Sequence, residues 1–271
     1  MKNNISNPLI KDKLKTFDDF ENEIEKIINY QNSEINKLKD METYRKEFLG
    51  NVSHELKTPI FIAQSYIETL LDGSINDKKV NQKHLTKALK SIFRLSDIVK
   101  DLELISKLEK NVLTLTKQNF DIIPLVYDVV DSFELNAKTE NVELIIDIPT
   151  DKKCFVYADE EKIEQVITNL IVNAIKYSKD EGIIKINCYD HNNSILIEIE
   201  DNGIGISKEN LDRIFERFYR VDKDRSRKKG GTGLGLSIVK HILEAHNQKI
   251  TVESTLNRGT KFSFSLDKAK H

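Results

Sequence analysis

Apolar residues recur at alternating intervals of three and four along residues 17 to 72. This spacing predicts a long helix that carries one apolar seam of coiled-coil character. Polar residues interrupt the seam at Gln31, Glu42 and Arg45. Its apolar members are Ile24, Ile28, Ile35, Leu38, Leu49, Val52 and Leu56.

A turn is expected after this helix, because the segment LDGSIND (71–77) contains Gly73, Asn76 and Asp77, which favour turn conformations. A second helical seam then follows at Leu85, Ala88, Ile92, Leu95, Val99, Leu102 and Ile105. Two helices joined by a short connection predict an antiparallel hairpin. Since one hairpin cannot cover both seams, we expect two chains to pair into a four-helix bundle. On periodicity alone, a coiled-coil spacer without chemistry is the favoured interpretation.

Short β-like runs alternate with helices from about residue 112 onward. Expected strands are 112–116, 142–148, 153–157, 182–189, 195–201, 249–254 and 260–266, and expected helices are about 122–138, 160–177 and 234–246. This pattern predicts an α+β protein whose second part is a two-layer α/β sandwich with a largely antiparallel sheet. The predicted divisions are a linker or coiled-coil helix at 1–45, the helical hairpin at 46–112 and the sandwich at 113–271.

Charged residues make up 32% of the chain, but the formal net charge is only −2. Bulk attraction to nucleic acid is therefore not expected. The apolar runs are shorter than the roughly 18 to 20 residues that span a bilayer, and no secretory segment follows Met1. We expect a cytoplasmic protein in which Cys154 and Cys188 are reduced, partly buried thiols.

The segment VITNLIVNAIKYS (166–178) places Asn169 and Asn173 on one face of a helix, with Lys176 and Tyr177 one turn later. Amide oxygens suit Mg²⁺, a lysine suits phosphate, and a tyrosine offers an aromatic face to a base. Taken alone, two asparagines on an apolar helix more often form a buried polar network.

Two glycine clusters follow. In DNGIGI (201–206) the glycines Gly203 and Gly205 permit a close backbone approach, and Asp201 can accept a hydrogen bond from an adenine amino group. Ordinary turns use the same residues, so this cluster alone is a weak signal.

The second cluster, GGTGLGLSIVKHI (230–242), runs from a loop into a helix, whose backbone N–H groups can cradle phosphates. It has neither the Lys-Ser/Thr pair of a Walker-type loop nor the preceding strand of a dinucleotide-binding fingerprint.

Phe215 and Phe218 precede a basic run between the two clusters. This arrangement predicts a mobile lid anchored by the aromatic residues, with Arg220 or a later base meeting terminal phosphate oxygens. The alternatives are a solvated basic loop or a weak nucleic-acid patch, and either would be favoured if the run stood alone.

These four motifs, in this order, resemble the ATP-binding domain shared by gyrases, heat-shock chaperones, histidine kinases and mismatch-repair ATPases, over about residues 119–266. The resemblance implies ATP and Mg²⁺ as cofactors, with Mg²⁺ on Asn173 and Asn169 as a further possible ligand. The implied ATP-binding residues are Asn169, Asn173, Lys176, Tyr177, Asp201, Gly203, Gly205, Phe218, Arg220, Gly231, Thr232, Gly233, Leu234 and Gly235.

The segment FLGNVSHELKTPI (48–60) resembles the H-box of the commonest class of sensor histidine kinases, and with the hairpin the resemblance covers about residues 40–110. It implies that His54 accepts the γ-phosphoryl group of ATP, that Glu55 takes or orients the imidazole proton, and that Thr58 positions the water that dephosphorylates a partner. A zinc-protease motif is excluded, because Thr58 stands where the second histidine would be required.

The resemblance implies the catalytic core of a two-component sensor histidine kinase that forms a homodimer through the hairpin. It would phosphorylate His54, transfer the group to an aspartate on a response-regulator receiver domain, and dephosphorylate that regulator. A membrane would be involved only through an N-terminal sensor region outside this chain; otherwise the signal arrives through a partner. Two rival hypotheses are an ATP-clamp ATPase, opposed by the H-box, and a scaffold with a degenerate ATP site, opposed by intact Asn173 and Asp201.

Overall fold

The structure is a computed structural model that describes residues 8–109, 114–148, 153–221 and 231–269. Residues 1–54 and residues 55–271 form two compact units. None of the described helices contains a stretch long and apolar enough to cross a membrane.

The first helix, α1, spans Pro8–Leu71 and begins before the predicted start at residue 17. Its predicted apolar seam leaves large side chains exposed in the single chain, among them Ile28, Ile35 and Leu38. An apolar stripe of this kind is stabilised when a second helix covers it.

The predicted hairpin is confirmed. A one-turn 3₁₀ helix at Ser74–Asn76 follows α1, and α2 spans Lys78–Glu109. The turn is specified locally, because the carboxylate of Asp77 accepts the backbone N–H groups of Lys79 (2.9 Å) and Val80 (3.3 Å) and so satisfies free donors at the start of α2.

Side-chain contacts show that the two hairpin helices are antiparallel. The ring centroids of Tyr66 and His84 lie 5.2 Å apart. Further from the turn, Arg94 reaches the carboxylate of Glu55, in the same antiparallel register.

The second part of the chain is the expected two-layer α/β sandwich. Its elements are β1 (Gln118–Asp121), α3 (Ile122–Thr139), β2 (Val142–Asp147), β3 (Phe155–Ala158), α4 (Glu160–Lys176), β4 (Gly182–His191), β5 (Ser194–Asp201), α5 (Lys208–Leu211), α6 (Gly235–Ala245), β6 (Ile250–Thr255) and β7 (Gly259–Asp267). The main sheet has the order β2-β4-β5-β7-β6, and only the β2–β4 pair in it is parallel. Strands β1 and β3 form a separate antiparallel pair.

Helices α3, α4 and α6 cover one face of the main sheet. Strand β5 alternates as a half-buried strand should, with Ile195, Ile197 and Ile199 buried beneath the helices. Each such side chain stabilises the fold by about 1.5–3 kcal/mol relative to an exposed position. Ile105 of α2 joins the same core, so the end of the hairpin packs onto the sandwich.

The strand predicted at 112–116 is wrong for its described part. Residues 112 and 113 lie outside the described residues, and 114–117 form no strand; β1 begins at Gln118. The pairing partner sets this start, because Gln118 already lies opposite Ala158, the last residue of β3. The N–H of Thr116 donates instead to the carboxylate of Asp159 at 2.8 Å.

Buried His246 connects the end of α6 with the start of α4. Its Nε2 accepts the N–H of Asp159 at 3.0 Å, and its Nδ1 donates to the carbonyl of Ile242 at 2.8 Å. Burial lowers the pKa of His246 below its ordinary value of 6.5. Protonation would also place a new N–H against the N–H of Asp159, so the fold requires the neutral ring.

This network predicts a loss of stability in mild acid. Because the folded-state pKa of His246 is lowered from 6.5, the unfolded chain takes up the proton first, and stability present above that pH is lost as pH falls. Between pH 7.5 and 5.5, the free energy of unfolding should fall by about 1 kcal/mol more in the native chain than in His246→Gln. Denaturant unfolding of both chains across that range measures the difference; parallel pH profiles would contradict the assignment.

Candidate active site

Helix α4 carries the asparagine motif on the side that meets α6. The side chains of Asn169 and Asn173 are half-buried, and neither amide makes a hydrogen bond to another described residue. The amide oxygen of Asn169 faces the start of α6, 3.0 Å from the position that a β-carbon on Gly235 would take. Both amides are therefore uncommitted where a ligand would need them.

The first glycine loop closes against the end of α4. The carbonyl of Tyr177 accepts the N–H of Ile204 at 3.1 Å, and the same carbonyl would clash with any β-carbon on Gly203. Gly205 lies in the same loop. This contact requires glycine at 203, because the two backbone segments touch there.

Asp201 ends β5 at the base of this loop. Its side chain is buried, and its Oδ1 accepts the N–H of Gly203 at 2.8 Å. Burial raises the pKa of Asp201 to about 6, although backbone hydrogen bonds from Gly203 and Thr260 oppose the rise. Asp201 is thus a buried acceptor that is ionised at neutral pH.

The second glycine loop, residues 231–235, leads into α6. The hydroxyl of Thr232 accepts the N–H of Leu234 at 3.2 Å, and Leu234 is buried. No side chain within the described ranges caps the N-terminus of α6. Its first-turn N–H groups are left for an anion, which the positive end of a helix favours.

The side chain of Lys176 lies against this loop. Its ammonium is at the position that a β-carbon on Gly231 would take. The ammonium lies 5.1 Å from the ring centroid of Tyr177. Burial lowers the pKa of Lys176, although the neighbouring Tyr177 opposes the change, and the charges of Arg220 and Arg94 contribute a smaller lowering. The ammonium of Lys176 therefore lies against the second glycine loop, where it could meet a bound anion.

The aromatic motif, which contains Phe215 and Phe218, is hydrogen-bonded to the second glycine loop. Phe218 has φ +61°, and its N–H donates to the carbonyl of Gly233 at 2.9 Å. Gly233 has φ +76°, and a β-carbon there would lie 2.8 Å from Cα of Phe218. Phe215 packs edge-on against Phe262, with ring centroids 6.4 Å apart. The basic run predicted to form the lid falls largely on 222–230, outside the described residues.

The H-box residues lie within α1. The side chains of His54 and Thr58 are exposed. Each of the two residues takes part in a hydrogen bond or another polar or ring contact. Glu55 is mostly buried and meets two arginines: Arg94 Nη2 lies 3.4 Å from its Oε2, and Arg220 Nη1 lies 3.4 Å from its Oε1.

Arg220 is also mostly buried. Its Nε and Nη2 atoms have no hydrogen-bond partner among the described residues, which is costly for a buried cation unless a further anion is bound.

The donor set of this site fits a polyphosphate. No group of three or more His, Cys, Asp or Glu side chains in the described ranges could hold a metal ion, so Mg²⁺ here would depend on amide and phosphate oxygens.

The sequence interpretation missed Arg94. It lies in α2 far from every recognised motif, and only the antiparallel register of the hairpin brings it to Glu55. Counting outward from the turn at residues 71–77 would have placed a cation opposite Glu55.

Two protein families match the chain. The family described as histidine kinase-, DNA gyrase B- and HSP90-like ATPase matches residues 158–270, and the family described as His Kinase A (phospho-acceptor) domain matches residues 44–111. The two matches follow the division between the sandwich and the hairpin.

Named relatives agree with these matches. The sensor histidine kinase WalK of Bacillus subtilis (strain 168) is 36% identical over 86% of this chain, and a Staphylococcus aureus sensor protein kinase WalK is 38% identical over the same share. The chain spans 38% and 56% of the length of these two relatives.

Among solved structures, the histidine kinase AdeS of Acinetobacter baumannii is 30% identical, with a TM-score of 0.66 over 80% of this chain and 98% of that one. The chain therefore belongs to the two-component sensor histidine kinases. The histidine kinase ThkA, solved in complex with the response regulator protein TrrA, shares the fold with a TM-score of 0.63 at 24% identity, over 86% of this chain and 66% of that one.

Proposed function

We propose that the chain phosphorylates itself on His54 with ATP and Mg²⁺, and passes the phosphoryl group to an aspartate of a response-regulator receiver domain. The observation that carries this proposal is the meeting of the four ATP-domain motifs at one site: Tyr177 contacts Ile204, Lys176 crosses under Gly231, and Phe218 bonds Gly233. We propose the same division of the chain as from the sequence: a linker or coiled-coil helix at 1–45, a phosphoacceptor hairpin at 46–112 and an ATP-binding domain at 113–271.

In this proposal the nucleotide lies between α4, the two glycine loops and the aromatic segment. Asp201 and the Gly203–Gly205 loop hold the adenine, with Tyr177 beside it. The loop from Gly231 to Gly235 and the N-terminus of α6 hold the phosphates, together with Lys176 and Arg220. Phe218 holds this loop in place through its hydrogen bond to Gly233. Asn173, with Asn169 as a second ligand, would hold Mg²⁺, which neutralises phosphate charge when bound.

His54 is suited to the acceptor role, because a neutral imidazole is nucleophilic near physiological pH. A ring nitrogen of His54 forms a bond to the γ-phosphorus, the bond from that phosphorus to the β,γ-bridging oxygen breaks, and ADP leaves. Glu55 orients the imidazole and takes its remaining proton. Thr58 positions the water for dephosphorylation of the regulator.

The working form would be a homodimer. The exposed apolar residues of the hairpin include Phe61, Ile67, Leu85 and Phe93, and a four-helix bundle would cover them. We infer that these domains act in the cytoplasm and that any membrane attachment comes through a sensor region outside this chain.

Incubation with γ-labelled ATP and Mg²⁺ tests the proposal. Stable incorporation that is lost in acid and retained in alkali is expected, because a phosphoramidate has that stability. No incorporation into a folded chain that still binds nucleotide would overturn the kinase assignment in favour of an ATP-clamp ATPase.

Transfer of the phosphoryl group to a receiver domain provides a second test of the proposed function. Purified labelled chain is mixed with receiver-domain proteins and with receivers whose acceptor aspartate is replaced by asparagine. Label should move only to the unmodified receivers, and retention of all label by the kinase in every mixture would contradict the proposed partner class.

A further inference from the structure

Glu55 is shared between two arginines from different parts of the molecule. Arg94 lies on α2, in the hairpin that also carries Glu55, and contacts Oε2; Arg220 follows the aromatic segment of the sandwich and contacts Oε1. Each oxygen of one carboxylate therefore has its own cation.

This ion triad is largely screened from water. The side chains are 14% exposed for Glu55, 9% for Arg220 and 33% for Arg94. A carboxylate in such a setting depends on its partners, since removal of one partner of a buried pair leaves a charge that neither water nor protein compensates. The contacts with Arg94 and Arg220 therefore determine the orientation of the Glu55 carboxylate.

The two arginines differ in what they can do during a reaction. Arg220 belongs to the ATP-binding domain, and its Nε and Nη2 have no partner in the described part of the chain and could bind another anion. In the proposed reaction the ATP-binding domain presents ATP to His54, and such a movement would carry Arg220 away from Glu55. Arg94 stays, because hairpin packing fixes its distance to Glu55.

We propose that Arg94 is a positioning residue for autophosphorylation, which holds the Glu55 carboxylate in its orientation beside His54 after Arg220 has left it. The proposal rests on the proposed function of Glu55. Arg94 acts through Glu55 and not on the nucleotide, so its loss should slow the reaction at saturating ATP and leave the KM for ATP unchanged.

The experiment compares the initial rate of His54 labelling over a range of ATP concentrations for the native dimer, Arg94→Gln and Arg94→Lys. Arg94→Gln should lower kcat by about tenfold to a hundredfold, as expected when a proton-handling group is displaced by about an ångström. Arg94→Lys keeps the charge and should recover part of the rate. Arg213→Gln is the matched control, because Arg213 pairs with Glu216 at the surface.

A double-mutant comparison separates positioning from folding. In a Glu55→Gln background, Arg94→Gln should cause no further fall in kcat, because the group through which Arg94 acts is already removed. A further tenfold fall in that background would overturn the proposal, as would a raised KM with unchanged kcat, which would place Arg94 on the nucleotide.

Labelling of the native chain and of Arg94→Gln distinguishes the proposed function from the role of Arg94. A native chain that acquires no label overturns the proposed function and the role of Arg94 with it. A native chain that labels, beside an Arg94→Gln chain with native kcat and KM, overturns the role of Arg94 alone.

Discussion

Replacement of His54 by glutamine is expected to abolish acid-labile labelling from γ-labelled ATP. Glutamine keeps a polar side chain at this exposed helical position, so the helix should persist, but its amide nitrogen is not a nucleophile. ATP binding should stay at the native level, since the motifs that meet around α4 do not include His54. Label incorporation and ATP affinity, measured on the same preparations, test both statements.

His191→Gln is the matched control for this experiment. His191 is exposed at the end of β4 and takes no part in the proposed chemistry, so this variant should acquire label at the native rate. Native labelling of His54→Gln would show that another residue accepts the phosphoryl group, and the proposed acceptor would then be wrong.

The second large effect is expected at Gly203, where alanine should weaken ATP binding. A β-carbon there meets the carbonyl oxygen of Tyr177 and lies 2.7 Å from the carboxylate oxygen of Asp201, so the loop must move away from both. Overpacking of this kind costs about 1–3 kcal/mol. Because ATP binding would need the loop in the position that the β-carbon disfavours, that cost would raise the Kd for ATP by about fivefold to 150-fold. Equilibrium binding of a fluorescent ATP analogue measures the change.

Gly50→Ala provides the control, because a β-carbon at Gly50 has no neighbour within 4 Å and α1 favours alanine over glycine. It should bind ATP as the native chain does. Asp201→Asn supplies a second variant that adds no bulk, and it should weaken binding by about tenfold through the altered acceptor. Native affinity in both Gly203→Ala and Asp201→Asn would contradict the assignment of this loop to the adenine.

The local elements of the fold were predictable from the sequence because they depend on neighbours along the chain. The apolar spacing predicted the hairpin, and the turn at Gly73 and Asp77 separated its helices where expected. Helices α3, α4 and α6 and six of the seven strands lie close to their predicted positions. Strand β1 does not, because its start depends on pairing with β3, which is more than 30 residues away along the chain.

The same division holds for the candidate site. The motifs in the sequence predicted roles for His54, the asparagine pair on α4 and the two glycine loops, since each is a short pattern whose residue types suit a particular chemistry. The burial of Asp201, the position of Lys176 against Gly231 and the contact of Arg220 with Glu55 were decided by the tertiary structure alone. Burial and charge pairing are set by groups that are distant in sequence and adjacent in space, and only the folded chain brings those groups together.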